Sequence, residues 1–170
     1  MAGDANGEYF AEYIKDGEDA RSWKSGLLLI RRLKYPSADL LEQIEKAKSR
    51  VADIMLLQYD NQTQQMCKDK YVPAAKRVGE LSGLYFAVGG WYCRLNSKET
   101  PFGEGSYVAF VEGKGFVHLV QYSWRPQTGQ DANSSEWGID LKTGKTYLDS
   151  IVSSVLCDEN KKTCKNGYAK

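Results

Sequence analysis

The sequence holds a single histidine, His118. Every serine-type triad, histidine-activated cysteine nucleophile or multi-histidine metal centre must therefore pass through that residue or be excluded. No Cys-x-x-Cys spacing occurs among the four cysteines, which removes the usual basis for redox catalysis or a zinc knuckle. No charge of one sign predominates: 23 basic against 22 acidic side chains leave a net charge of +1. A chain so nearly neutral does not generate the broad positive field of a dedicated nucleic-acid or anionic-membrane binder. Apolar runs are short, Ile54-Met55-Leu56-Leu57 being among the longest, against the roughly 20 residues of a membrane span. Met1-Ala2-Gly3-Asp4 lacks a basic n-region and an apolar h-region, and is read as the start of a mature form without its leader.

What the chain does have is 170 residues, 42% of them apolar and 26% charged. That is enough for one domain with a substantial core. The expectation is a single α+β domain over residues 1–170, helical over about 5–90 and sheet-forming over about 91–165. Its N-terminal helices are expected on one face of a C-terminal four- to five-stranded antiparallel sheet.

The cysteines carry the clearest statement about compartment. Cys157 and Cys164 bracket six polar residues, a natural disulfide-closed turn, and Cys67 and Cys93 are the other two. Four cysteines permit three pairings. Pairing each with its neighbour in sequence keeps both bridges local and places the protein in an oxidising compartment, periplasmic or secreted.

Periodicity fills in the elements. Leu40, Leu41, Ile44, Ala47, Val51, Ile54, Met55 and Gln58 follow a 3.6-residue period and predict a helix over about 37–59, opened by Pro36 and Ser37. Shorter helices are expected over 8–15, ended by Gly17, and from Asp19 to Tyr35, through Trp23, Leu27, Ile30 and Leu33. Residues 73–88 keep helical spacing and are expected as a helix to about Val88, with Trp91–Leu95 starting the sheet; Gly79 and Gly83 are read as small residues permitting close packing, and the state of 84–95 stays open between helix and strand.

From Ser106 the period becomes two. A hairpin is predicted over 107–111 and 116–124, turning at Gly113-Lys114 so that Val111 opposes Phe116 and Tyr107 opposes Val120. A second hairpin is expected over 137–141 and 145–151, then a strand over 152–157. Pro126–Ser135 reads as a mobile polar loop. The stretch from Gly138 to Thr146 ends in Gly-Lys-Thr like a phosphate-binding loop, but five residues separate its glycines where four are needed, and a strand is expected to follow.

The first hairpin gives one face bearing Tyr107, His118, Tyr122 and Trp124, with Trp137 from the second hairpin. Large amphipathic rings of this kind are favoured at protein–protein contacts. Asp140, Asp149 and Glu136 are read as solvated acids, and the sequons at Asn61 and Asn133 are too common a pattern to weigh.

The functional expectation is an exported, non-enzymatic protein-binding module, of inhibitor, immunity or secretion-system accessory type. It binds another protein through those aromatics and the loops at 97–105 and 126–135. No catalytic residue, metal, cofactor, nucleic acid or membrane insertion is expected. Two alternatives remain: a cone-shaped small-molecule pocket lined by Tyr107, His118 and Tyr122, and a small hydrolase using His118 with Asp140 or Glu136.

Overall fold

The computed structural model describes residues 2–5, 8–81, 83–94 and 97–152. Its centre is one antiparallel sheet of eight strands: β1 (Ala2–Ala5), β2 (Glu8–Ile14), β3 (Leu27–Lys34), β4 (Tyr71–Pro73), β5 (Arg77–Leu81), β6 (Leu84–Cys93), β7 (Glu104–Glu112) and β8 (Phe116–Trp124). Their spatial order is β1-β2-β3-β8-β7-β6-β4, with β5 pairing β6 beside β4, so β4 and β5 together form one interrupted edge. Among the described residues four α-helices accompany the sheet: α1 (Ala38–Lys46), α2 (Val51–Cys67), the short α3 (Gly129–Ala132) and α4 (Leu141–Val152).

The α+β class and the antiparallel sheet hold, but the expected division into helical and sheet halves does not. Five of the eight strands lie wholly before residue 91, and helices cover both faces of the sheet rather than one. On one face, Ile44, Val51, Ala52 and Leu56 of α1 and α2 pack on Ala87, Val108, Phe110, Val117 and Leu119. On the other, Ile151, Tyr147 and Leu148 of α4 pack on Val88, Tyr107, Ala109, Val120 and Trp124.

This double covering explains why the expected N-terminal helices do not form. A strand covered on both faces carries a continuous apolar run rather than an alternating one. Leu27-Leu28-Leu29-Ile30 is such a run: Leu29 packs toward α1 and α2, and Leu28 toward α4. Together with Leu33, it also matches a helical period by chance. Residues 8–14 are likewise β2, where Tyr9, Phe10, Tyr13 and Ile14 suit a pleated surface better than a helix. Over 73–88 the glycines decide against the helix. Gly83, at φ +78°, belongs to the β5–β6 turn. Gly89 is the close-approach position, since a Cβ there would lie 3.2 Å from Leu56 Cδ1. Thus glycine lets α2 seat directly on β6.

The long helix expected over 37–59 is two helices. The chain breaks between them at Lys48, φ +53°, and α2 then continues to Cys67. Glu112 of β7 fixes the new start, accepting from the Ala52 amide at 3.0 Å and pairing with Arg50 at 2.6 Å. A carboxylate placed there satisfies an otherwise open amide and complements the helix dipole. The far end of α2 is tied to β6 by the Cys67–Cys93 disulfide, with Cα atoms 5.5 Å apart.

The first hairpin forms where expected, with its turn one residue later. Gly115 is the left-handed residue at φ +81°, and Tyr107 opposes Tyr122 while Ala109 opposes Val120. Sliding a two-residue turn by one position shifts the pairing by two, an even number, so every side chain keeps its predicted face. The second hairpin is absent. Residues 141–152 form α4, whose first turn is capped by Asp140: its carboxylate accepts from the Thr143 amide at 2.9 Å, and its carbonyl from the Gly144 amide at 2.9 Å. Pro126–Ser135 contains α3, opened by a reciprocal Thr128–Asp131 capping box. Cys157, Cys164 and residues 153–157 of the expected last strand lie outside the described residues.

Candidate binding cleft at the loop end of the sheet

Three connections meet at one end of the sheet: the β2–β3 loop, the β6–β7 loop and the chain leaving β8. Between them lies a cleft of about 550 Å³ lined by Arg21, Ser22, Trp23, Lys24, Lys98, Glu99, Pro101, Arg125, Pro126 and Gln127.

Its floor is built around Arg125. The guanidinium lies 4.0 Å above the ring centre of the buried Trp23. It donates through Nε to Glu104 Oε2 at 2.8 Å, and through Nη1 to the carbonyls of Arg21 and Trp23 at 3.2 and 3.4 Å. One cation thereby joins β7, the β2–β3 loop and the end of β8, through a charge-assisted hydrogen bond and a cation–π contact together. Gln127 adds a second tie, donating from Nε2 to the carbonyls of Lys24 and Arg125 at 3.3 and 2.8 Å.

The walls are held in the same manner. Glu18 collects the Lys24 amide at 3.0 Å, the Ser25 amide at 3.1 Å and the Ser25 hydroxyl at 2.7 Å. Those donors, the Ser25 hydroxyl foremost, keep its carboxyl below the ordinary glutamate range. Opposite, Ser97 Oγ accepts from the amides of Glu99 and Thr100 at 3.1 and 3.0 Å and closes a tight turn. The remaining cations, Arg21, Lys24 and Lys98, are exposed and form no ion pair among the described residues.

The sequence-predicted residues fall elsewhere. Tyr107, Tyr122, Trp124 and Trp137 do come together, but beneath α4. Tyr107 and Trp124 are 4% and 5% exposed. Tyr107 lies 5.0 Å from the ring centre of Trp124 and 5.8 Å from that of Trp137, while Tyr122 stacks on Tyr147 of α4 at 3.9 Å. Trp124 Nε1 donates to the Trp137 carbonyl at 3.0 Å. Burial pushes the Tyr107 and Tyr122 hydroxyls up to about 12, so neither exchanges protons near neutrality. The volume in which a cone-shaped pocket was expected is occupied by Tyr147, Leu148 and Ile151.

His118 is not brought to this cluster. It sits toward the other end of β8, opposite Val111 and Arg32, and a Cβ on Gly113 would come within 3.0 Å of its Nε2. Burial, helped by Arg32, lowers its pKa. The acids assigned to a hydrolase, Asp140 and Glu136, are not shown against it either. Asp140 caps α4, and Glu136 is exposed, its carbonyl accepting from Arg94 Nη2 at 2.9 Å; Asp149 pairs with Lys145 on α4. Among the described residues, no group of three or more His, Cys, Asp or Glu is placed to hold a metal ion, and no helix is long and apolar enough to cross a membrane.

The Gly-Lys-Thr stretch needs a correction of reason. A helix follows it, not a strand, but Gly144, Lys145 and Thr146 lie inside that helix, where Thr146 Oγ1 donates to the Lys142 carbonyl at 3.0 Å. They form no phosphate-cradling loop ahead of a helix N-terminus.

Arg21, Trp23 and Lys24 lie in the stretch from Asp19 to Tyr35 that is expected as a helix, and belong instead to the β2–β3 loop. The signal for a loop was present in Gly17, Asp19, Ser22, Ser25 and Gly26 within ten residues. Lys98, Pro101, Pro126 and Gln127 do fall in or beside the two loops singled out by the sequence.

No family model and no curated protein matches this chain. Among solved structures, its fold resembles that of PA94 from Pseudomonas aeruginosa, a protein of unknown function described as a candidate regulator. The TM-score is 0.52 at 9% identity, covering 88% of this chain and 83% of that one. Cyanobacterial PsbP (CyanoP) from Synechocystis sp. PCC 6803 gives a TM-score of 0.47 at 8% identity, covering 91% and 89%. The first likeness concerns the fold alone.

Proposed function

We propose that this protein is a non-enzymatic module of an oxidising compartment, periplasmic or extracellular, that binds another protein through the loop end of its sheet. Inhibitor, immunity-type or secretion-system accessory roles all use such a module. The observation that carries the reading is the cleft itself. Three loops converge there on a floor immobilised by Arg125 and Trp23, while exposed cations remain uncommitted around the rim. A rigid floor with adaptable polar edges is the arrangement expected of a recognition surface carried on a scaffold. The buried Cys67–Cys93 bridge supports the compartment.

Site-specific photo-crosslinking tests the location. A photoreactive residue replaces Lys24, Lys98 or Gln127 at the cleft, or the exposed Leu57 on α2 as control. The three cleft positions should capture one and the same partner from the native host, and position 57 should not. Capture at position 57 alone overturns the reading.

A further inference from the structure

We propose that the cleft receives a short acidic segment of the partner protein, an inference that rests on the protein-binding reading above and names the chemistry of that same site. The chain as a whole is nearly neutral, yet Arg21, Lys24, Lys98 and Arg125 surround one cavity with Glu99 as the only acid among its lining residues. Glu104, nearby, is committed to Arg125 at 2.8 Å. Arg125 and Glu104 cancel, so the excess among the lining residues rests on Arg21, Lys24 and Lys98 against Glu99. Glu18 and Asp19 of the same loop turn their carboxylates to the Lys24, Ser25 and Arg21 amides and do not line the cavity. Its volume of about 550 Å³ lies inside the roughly 300–1,000 Å³ range of ligand sites. Pro101 and Pro126 supply rigid apolar walls for the stems of acidic side chains.

Other anions fit less well. Single-stranded nucleic acid needs aromatic faces on which bases stack. The one aromatic ring lining the cleft is Trp23, which is 4% exposed and covered by Arg125. A phosphate dianion favours an open arginine fork. Here Nε and Nη1 of Arg125 are already spent on Glu104 and on two carbonyls, which leaves Arg21 as the one open fork, and phosphate competition tests it directly. What remains available is the exposed heads of Arg21, Lys24 and Lys98 at the rim. That pattern suits carboxylates spaced along a peptide, and Glu99 can meet a basic residue between them.

The test uses fluorescence anisotropy with four probes: a labelled, end-blocked tetra-glutamate peptide, its tetra-glutamine counterpart, inorganic phosphate and a short oligothymidylate, the last two as competitors. Tetra-glutamate should bind and tetra-glutamine should not. Reversing both rim lysines in Lys24→Glu/Lys98→Glu should weaken tetra-glutamate by about tenfold, the scale of several exposed charge contacts. Raising salt from about 50 to about 300 mM should weaken it severalfold. Both lysines are exposed, and an unchanged melting temperature confirms that the variant is folded.

Equal binding of the two peptides overturns the proposal, and so does displacement by phosphate or oligothymidylate at lower concentration than unlabelled tetra-glutamate. If tetra-glutamate fails to bind while positions 24, 98 and 127 still crosslink a partner, the acidic-segment inference falls and the protein-binding reading stands. If crosslinking fails while tetra-glutamate binds, the protein-binding reading falls and the partner-segment inference falls with it.

Discussion

Replacing Cys67 and Cys93 together by alanine should cost about 3.5 kcal/mol of stability. The bridge closes a loop of 26 residues, and the chain-entropy model assigns that cost to the freedom regained by the unfolded chain. For 170 residues this corresponds to a fall in melting temperature of about 10 °C. Urea denaturation of the oxidised protein and the double variant measures it directly, and the variant's larger m-value should report the less compact unfolded state. The structure adds a spatial readout. The start of α2 is held by Glu112 through the Ala52 amide and Arg50, while its last turn is held by the disulfide. Hydrogen exchange in the variant should therefore quicken over about 59–67 and change little over 51–56. A loss below about 1 kcal/mol, uniform exchange along α2, or four alkylatable thiols in native unreduced protein would each refute the reasoning.

Three further perturbations probe separate parts of the fold. Gly105→Ala would place a methyl 2.3 Å from Trp124 Cζ2, and should cost about 2 to 3 kcal/mol by chemical denaturation together with a changed near-ultraviolet tryptophan signal. A variant as stable as the parent would show that the aromatic layer under α4 is not closely packed. Tyr59→Phe removes the donor 2.8 Å from Gln121 Oε1, and Gln121 is 9% exposed. The stranded acceptor should cost about 2 kcal/mol, whereas water entering beside α2 would make the change nearly neutral. His118 has a folded-state pKa lowered by burial and Arg32. The unfolded chain therefore takes up that proton first as pH falls. The contribution of neutral His118 is fully present above about 6.5 and is lost as pH drops toward its folded value. Urea midpoints at pH 7.5 and 5 should accordingly differ more for the parent than for His118→Asn, and equal slopes would contradict the assignment.

Which parts of this fold the sequence disclosed follows from how each element is buried. The β7–β8 hairpin was legible because its two faces meet different helices while its turn is glycine-rich. Even a turn placed one residue early left Val108, Phe110, Val117 and Leu119 on one face and Tyr107, Ala109, Val120 and Tyr122 on the other. β3 was not legible, because burial on both sides erased the alternation that marks a strand. The break between α1 and α2 was invisible for another reason: Glu112, which fixes it, lies 60 residues from Ala52 along the chain. α4 was read as a hairpin because Thr143-Gly144 resembles a turn, yet Gly144 serves close approach there. A Cβ at that position would meet Tyr107 Oη at 3.3 Å. The same confusion governed the site. The aromatics expected to face a partner face α4, and Arg21 and Lys24, inside the stretch expected as a helix, line the cleft with Lys98 and Arg125.

Core and cleft are nevertheless not independent, because adjacent residues at the start of β7 serve both. Glu104 holds Arg125 from one side of the sheet, and Gly105 leaves room for the Trp124 indole on the other. Arg125 is the residue directly after Trp124, so the end of β8 is fixed twice over, by an ion pair on one face and by ring packing on the other. Such a floor moves only if the strands move, and recognition surfaces built on rigid elements hold their geometry better than those built on loops alone. Exposed Lys24 and Lys98 can then adapt to a partner without disturbing Arg125, whose Nε and Nη1 are already bonded within the molecule. Removing a rim lysine should therefore change affinity and leave stability alone, whereas removing Arg125 strands Glu104 and uncovers Trp23 and must damage both.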